Sequence, residues 1–414
     1  MIQSKKFKLS NGLRVVYHRD ESSPVAAFNM LYDVGARDEN PKKTGFAHLF
    51  EHLMFGGSSN IVDFDGPLQM AGGQSNAFTS NDITNYYMTL PSLNLETAFW
   101  LESDRLNLLD FNQNSLDVQR KVVIEEFKQR YLNQPYGDVW LLLRPLCYKI
   151  HPYKWATIGE KIQHIEDAKI DDVKAFFFKH YTPRNSILSI AADLEFEKIQ
   201  EFSNKWFSSI EDRNEYTRCL SPEPVQLEKR ELRVERNVPN DALYIAFHMD
   251  NRMGEDYHVA DLISDILSRG KSGRFYKKLI RDNPKFIELS AFIMGSLDNG
   301  LFVIAGKPVK GTSLEAAYDL IRAELDLFAS ELIGERELQK NKNKIKSSLT
   351  FQEMSNLNKA MSLAYYELFD SSSGINNEFL KYENVSSSAI KRVAEKLFSE
   401  NNSNILYYKS AKDA

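Results

Sequence analysis

The sequence predicts an α+β protein of two homologous halves, each a mainly antiparallel β-sheet packed with α-helices. Three observations carry that reading. Strand-like and helix-like patterns alternate through the first half, the same order returns about 212 to 217 positions later, and a polar, proline-containing stretch at 211–228 separates the two occurrences. The implied division is a domain over 1–212, a linker over 213–228 and a homologous domain over 229–414.

Residues 6–18 read as a hairpin, with a Ser10-Asn11-Gly12 turn before the alternating strand Leu13–His18. A further strand covers 25–33. After the polar loop 35–43, the apolar residues of 44–55 recur at helical spacing until Gly56 and Gly57 stop the pattern. Residues 72–79 and 82–89 look like the two strands of a second hairpin. Helical patterns follow at 94–108, 115–131 and 171–181, the last leading through Tyr181-Thr182-Pro183 into the apolar strand 186–192. Val173, Tyr181 and Asn185 then line up without gaps with Ile390, Phe398 and Asn402, at an offset of 217. The strand 242–248 and the helical stretch 257–267 repeat the strand and helix of 25–55 at an offset near 212.

Composition narrows the function class. With 414 residues, 43% hydrophobic and 26% charged, the chain is an ordinary globular protein, and its net charge of −5 offers no basic surplus for nucleic acid or an anionic membrane. Cys147 and Cys219 are too far apart in sequence for a C-x-x-C pattern, so a disulfide framework and a cysteine zinc site are both excluded. No apolar run approaches a membrane span, and no signal peptide is visible. A reducing, cytoplasmic setting is expected, or the periplasm if a signal was trimmed.

Chemistry concentrates at His48-Leu49-Phe50-Glu51-His52. Two histidines at i and i+4 on one helix reach one metal ion, and Glu51 projects beside them, placed to take a proton from water at the metal. A hydrolytic zinc of this kind needs a third protein ligand.

The flanking residues form a series of motifs: Gly45-Phe-Ala-His-Leu-Phe-Glu-His-Leu-Met-Phe-Gly56, Gly72-Gly-Gln-Ser-Asn-Ala-Phe-Thr79, Gln119-Arg-Lys-Val-Val-Ile-Glu-Glu126, Pro135-Tyr-Gly137 and His151-Pro-Tyr153. The series resembles that of the pitrilysin-type zinc metallopeptidases, the inverted-motif family of insulysin and mitochondrial processing peptidase. The resemblance spans the first half and is closest to short bacterial members, in which one chain is half of a clamshell. It implies Glu126 as the third ligand, 74 positions after His52, and one zinc per chain, although N and O donors also accept manganese or cobalt. Spacing agrees: Val118, Val122 and Glu126 stand at i, i+4 and i+8, predicting an inward-facing stripe, with Glu125 turned about 100° away. Where the family usually has another Glu, seven positions before the ligand, this chain has Gln119, which cannot act as an acid. The resemblance also makes Asn76, Ala77, Phe78 and Thr79 an edge strand to which a peptide substrate adds. His18, His151, His164, His180, His248 and His258 read as structural or solvated.

The second half aligns Ala260, Ile263 and Ser264 with His48, Glu51 and His52, so it builds no second metal site. Catalytic relatives hold the substrate carbonyl with an Arg and a Tyr, and here Asn283 and Ile287 take those positions, with no Tyr between Tyr276 and Tyr318. The resulting expectation is a zinc endopeptidase acting on peptides or unfolded segments, as the metal-bearing subunit of a heterodimer. Its homologous partner lacks the zinc motif and supplies the Arg and Tyr; a homodimer is the alternative assembly. The rival reading is a non-catalytic peptide-binding or assembly subunit of the same fold.

Overall fold

The computed structural model describes residues 1–213, 217–369 and 371–411. The chain forms two compact units, neither continuous in sequence. The first takes Met1–Lys128, Trp155–Leu220 and Leu349–Glu378, and the second takes Gln129–Lys154, Ser221–Ser348 and Phe379–Ala414.

In the first unit, β1 (Lys5–Lys8), β2 (Arg14–Arg19), β3 (Val25–Tyr32), β4 (Gln74–Thr79), β5 (Thr84–Pro91) and β6 (Ser186–Ala192) form one sheet, ordered β1-β2-β6-β3-β5-β4. Only the β2–β6 pairing is parallel. The central strands β3 and β6 are buried almost throughout, which is why they read as apolar runs without alternation. On one face, Phe28 packs edge-on against Phe99 at 5.2 Å, and Phe99 meets Phe202 and Phe207 of the helix Phe196–Phe207. On the other face, Ala27, Ala191 and Ala360 meet, small side chains that let the helix Asn356–Glu367 lie close on the sheet.

That helix is tied down at both ends. Asn356 Nδ2 donates to the Val25 carbonyl at 2.9 Å, Lys359 is ion-paired with the buried Asp20, and Glu367 receives Lys6 Nζ at 3.2 Å. Burial by itself pushes the Asp20 carboxyl up, but the Lys359 ammonium and the Ser22 hydroxyl and amide outweigh it and hold it at about 2. A depressed carboxyl stabilises the fold above its unfolded value and loses that contribution as pH falls through the folded one. Lys359→Met is therefore expected to cost about 2 kcal/mol near neutral pH, and the deficit shrinks as pH falls from about 5 toward 2. Urea midpoints of both chains across that range check it.

The second unit repeats the plan with β7 (Arg230–Arg236), β8 (Ala242–His248), β9 (Phe286–Met294), β10 (Leu301–Pro308) and β11 (Ser403–Ser410), ordered β7-β11-β8-β10-β9, with only β7–β11 parallel. Its core sets Val139, Leu143 and Cys147 of the helix Val139–Cys147 against Ala242, Ala246, Val303 and Leu406. Val139 and Asn356 are 217 positions apart, the offset of the sequence repeat, so the helices they begin are equivalent elements. The six-stranded sheet lies within 1–212 and the five-stranded sheet within 229–414, yet each is covered by a helix from the other half of the sequence.

Of the expected linker, 214–216 lie outside the described residues, and 217–228 form neither helix nor strand. Arg218 in this stretch donates to Asp38 Oδ1 at 2.7 Å and to Asp33 Oδ1 at 2.9 Å. Among the described residues no helix is long and apolar enough to cross a membrane.

Candidate metal centre

The His48-Leu49-Phe50-Glu51-His52 segment lies on the helix Phe46–Leu53, which buries Phe46, Ala47, Leu49, Phe50 and Leu53 and leaves His48, Glu51 and His52 on the opposite face. Phe50 packs on Tyr181 at 4.4 Å between ring centroids. Eight residues make a marginal helix unless its ends are held. The N-cap is Gly45, with φ +86°, and a Cβ there would fall 2.5 Å from the Ile158 carbonyl oxygen, so no capping side chain fits. Glu39 supplies the cap from a distance, its two oxygens accepting the Gly45 and Ala47 N–H groups at 2.9 and 2.8 Å. Glu39→Ala is expected to lower stability by about 1–3 kcal/mol, because it strands two buried donors. It should also weaken any metal binding by His48 and His52, since both ride on this helix. Denaturant unfolding with a metal titration checks both effects.

His48, His52 and Glu126 each offer one donor atom, and the three atoms lie within 4.8 Å of one another. Glu126 Oε2 is 3.4 Å from His52 Nε2 and 3.7 Å from His48 Nε2. A tetrahedral ion with bonds of about 2.1 Å holds its ligands about 3.4 Å apart, close to the two Oε2–Nε2 distances, so the trio is a group that could hold one metal ion. Among the described residues this is the only such group of His, Cys, Asp or Glu.

The helix Gln113–Phe127 carries Glu126, but not on the stripe expected from the sequence. Val118 and Val122 are 55% and 44% exposed, and the residues that bury this helix are Leu116, Val123 and Phe127. The inward-stripe reading is therefore corrected. Glu126 stands beside Val123 and, two turns back, Gln119, at a boundary between buried and open faces, while Glu125 pairs with Lys128 in solvent.

β4 is an edge strand, antiparallel to β5, with Ala77 opposite Tyr86 and Thr79 opposite Thr84. Asn76 and Phe78 project to its more exposed face. Asn76 Oδ1 accepts the Ala77 N–H at 2.8 Å. Thr79 on the other face donates its hydroxyl to Glu51 Oε2 at 2.5 Å. The buried Tyr86 and Tyr181 hydroxyls lie 3.2 Å apart, and burial above all pushes both phenols well up, with the Glu51 charge a lesser contribution in the same direction, so they stay neutral. Arg105, buried and paired with Glu102, stacks over Tyr86 and Phe64 at 4.5 Å from each ring.

The other histidines fall outside the trio. His151 is buried with its Nε2 3.3 Å from Asp298, His248 Nε2 faces the Cys147 carbonyl, His258 meets Arg252, His164 meets Thr44, and His18 meets the Gln3 carbonyl. Burial drives His180 down to about 4, leaving it neutral. In the second unit Ala260, Ile263 and Ser264 are buried on the helix Tyr257–Ser268, Asn283 is exposed, and Ile287 is exposed on β9.

Sequence reasoning missed Glu39 and the Thr79 hydroxyl. A glycine at the helix start signals that a cap must come from elsewhere, but not from where.

Two family descriptions match the chain: Insulinase (Peptidase family M16) over residues 14–139, and Peptidase M16 inactive domain over residues 167–345. A zinc protease of Helicobacter pylori, PqqE, is 28% identical over 409 residues, covering 97% of this chain and 91% of the relative. The beta subunit of the mitochondrial-processing peptidase of Saccharomyces cerevisiae is 26% identical over 259 residues, 61% of this chain and 55% of that one. The crystal structure of a protease from Helicobacter pylori superposes with a TM-score of 0.93 at 26% identity, covering 99% of this chain and all of the other. The chain belongs to the M16 peptidase family, the pitrilysin type. Within that family it has the size and fold of a half-clamshell bacterial member.

Proposed function

We propose that the chain is a zinc-dependent endopeptidase for peptides or unfolded segments, with one metal per chain held by His48, His52 and Glu126. The observation that carries this reading is the gathering of those three donor atoms within 4.8 Å of one another, with Glu51 on the same helix face as the two histidines. When bound, a divalent zinc would polarise the scissile carbonyl and bring the pKa of a bound water down to about 7. Glu51, through a carboxylate oxygen, takes the proton of the attacking water and returns it to the leaving amine. The β4 edge offers its outer backbone groups to an extended peptide, which would displace Asn76 Oδ1 from the Ala77 N–H, with Asn76, Ala77, Phe78 and Thr79 as the strand that receives it.

A homologous subunit completes the site in this reading. Ile287, at the Tyr position, has no donor for an oxyanion, and one such donor is worth about 10²–10³ in rate, while Asn283, at the Arg position, carries no charge. The non-catalytic reading draws on the description of residues 167–345 as an inactive domain. The test is hydrolysis of a quenched peptide library by the metal-loaded chain beside Glu51→Gln. Cleavage by the chain alone that the variant abolishes supports the peptidase and removes the need for a partner. Metal bound without cleavage, restored by a homologous chain bearing the Arg and Tyr, supports the heterodimer. Metal bound with no cleavage in any combination favours the binding-subunit reading.

A further inference from the structure

We infer that Thr79 is a positioning residue for Glu51, so that the strand offered to substrate also aims the general base. The inference rests on the peptidase reading. Thr79 Oγ1 lies 2.5 Å from Glu51 Oε2, and because a carboxylate only accepts, the hydroxyl is the donor of a short, charge-assisted bond. Glu51 is a flexible side chain on a short helix; Thr79 is stiff at χ1 and stands at the end of β4, paired with Thr84. Thr84 is itself anchored, its hydroxyl donating to the Val34 carbonyl at 2.9 Å, and Ser80 N–H closes the β4–β5 turn on the Ile83 carbonyl at 2.8 Å. The rigid partner therefore fixes the mobile one.

The bond has a directional consequence. It turns Oε2 toward β4 and so sets the orientation in which the carboxylate meets a water. Strand alternation also puts the Thr79 side chain on the sheet face, while an added peptide would pair with the backbone at the edge. Thr79 serves Glu51 with its hydroxyl and the substrate with its main chain.

The test compares Thr79→Val, which keeps the shape and removes the hydroxyl, with Thr79→Ser, which keeps the hydroxyl. Thr79→Ala, removing the same hydroxyl with less bulk, is the second variant in case valine perturbs the fold. Thr79→Val and Thr79→Ala are expected to lower kcat about 10- to 100-fold with KM within about twofold, the scale of a misplaced catalytic group. Thr79→Ser stays within a few-fold of the native chain, and metal content is unchanged throughout. A second readout needs no turnover: calorimetric affinity for a peptide hydroxamate, whose proton Glu51 must accept, falls about tenfold in the valine and alanine variants only. This arm decides alone where the chain needs a second subunit for cleavage. Native kcat and hydroxamate affinity in Thr79→Val, or equal losses in Thr79→Ser, overturn the inference. A native chain that neither cleaves peptides nor binds the hydroxamate overturns the peptidase reading, and this inference with it.

Discussion

Glu51→Gln is expected to fold, bind metal as the native chain does, and lose peptide hydrolysis by about 10²–10⁴-fold, the usual contribution of a positioned general base. The argument is one of atoms. The three donors that gather within 4.8 Å are those of His48, His52 and Glu126, so Glu51 is free of the ligand role while standing between the two histidines in sequence. Glutamine preserves its length and still accepts the Thr79 hydroxyl through its carbonyl oxygen, so the local packing survives. Only the capacity to take a proton is removed. Metal content measured alongside peptide turnover separates this outcome from simple loss of the site. If the variant hydrolyses peptides at the native rate, Glu51 is not the base.

Removing the third donor has the other large effect. Glu126→Ala should reduce metal affinity by well over 100-fold, beyond the 10–100-fold typical of residues that only support a ligand. Glu126 Oε2 closes the triangle with both Nε2 atoms and is the only anionic member of the set. Two neutral imidazoles left alone hold a divalent ion weakly. Glu125→Ala is the matched control: the neighbouring carboxylate faces solvent with Lys128, and its loss should leave affinity unchanged. Competition against a chromophoric chelator reads both variants, and weaker binding in Glu125→Ala than in Glu126→Ala would reverse the assignment.

Much of this architecture was legible in the residues. The hairpin of β1 and β2, the helix bearing His48 and His52, the strand pair β4 and β5, and the repeat that generates two sheets all follow from periodicity and turn chemistry. Those elements are set by local pattern, and local pattern is what a sequence displays. Val118 and Val122 mislead for a physical reason: apolar residues at helical spacing usually face a core, whereas here they lie on the open face beside Glu126. Glu39 was invisible because a carboxylate six positions before a glycine becomes its cap only once the loop 35–45 has folded back. The Thr79–Glu51 bond joins residues 28 apart through the packing of a strand against a helix. No spacing rule encodes such a contact.

The paired helices Val139–Cys147 and Asn356–Glu367 have a consequence for how the molecule is made. Ala27 and Ala191 are translated long before Ala360, so a ribosome that has just finished the first sheet has produced one with an uncovered apolar face. Its cover arrives some 160 residues later. Cutting the chain in the 217–228 stretch yields two pieces, each holding the other's missing helix, so the piece with His48, His52 and Glu126 is expected to need the second piece to cover its sheet.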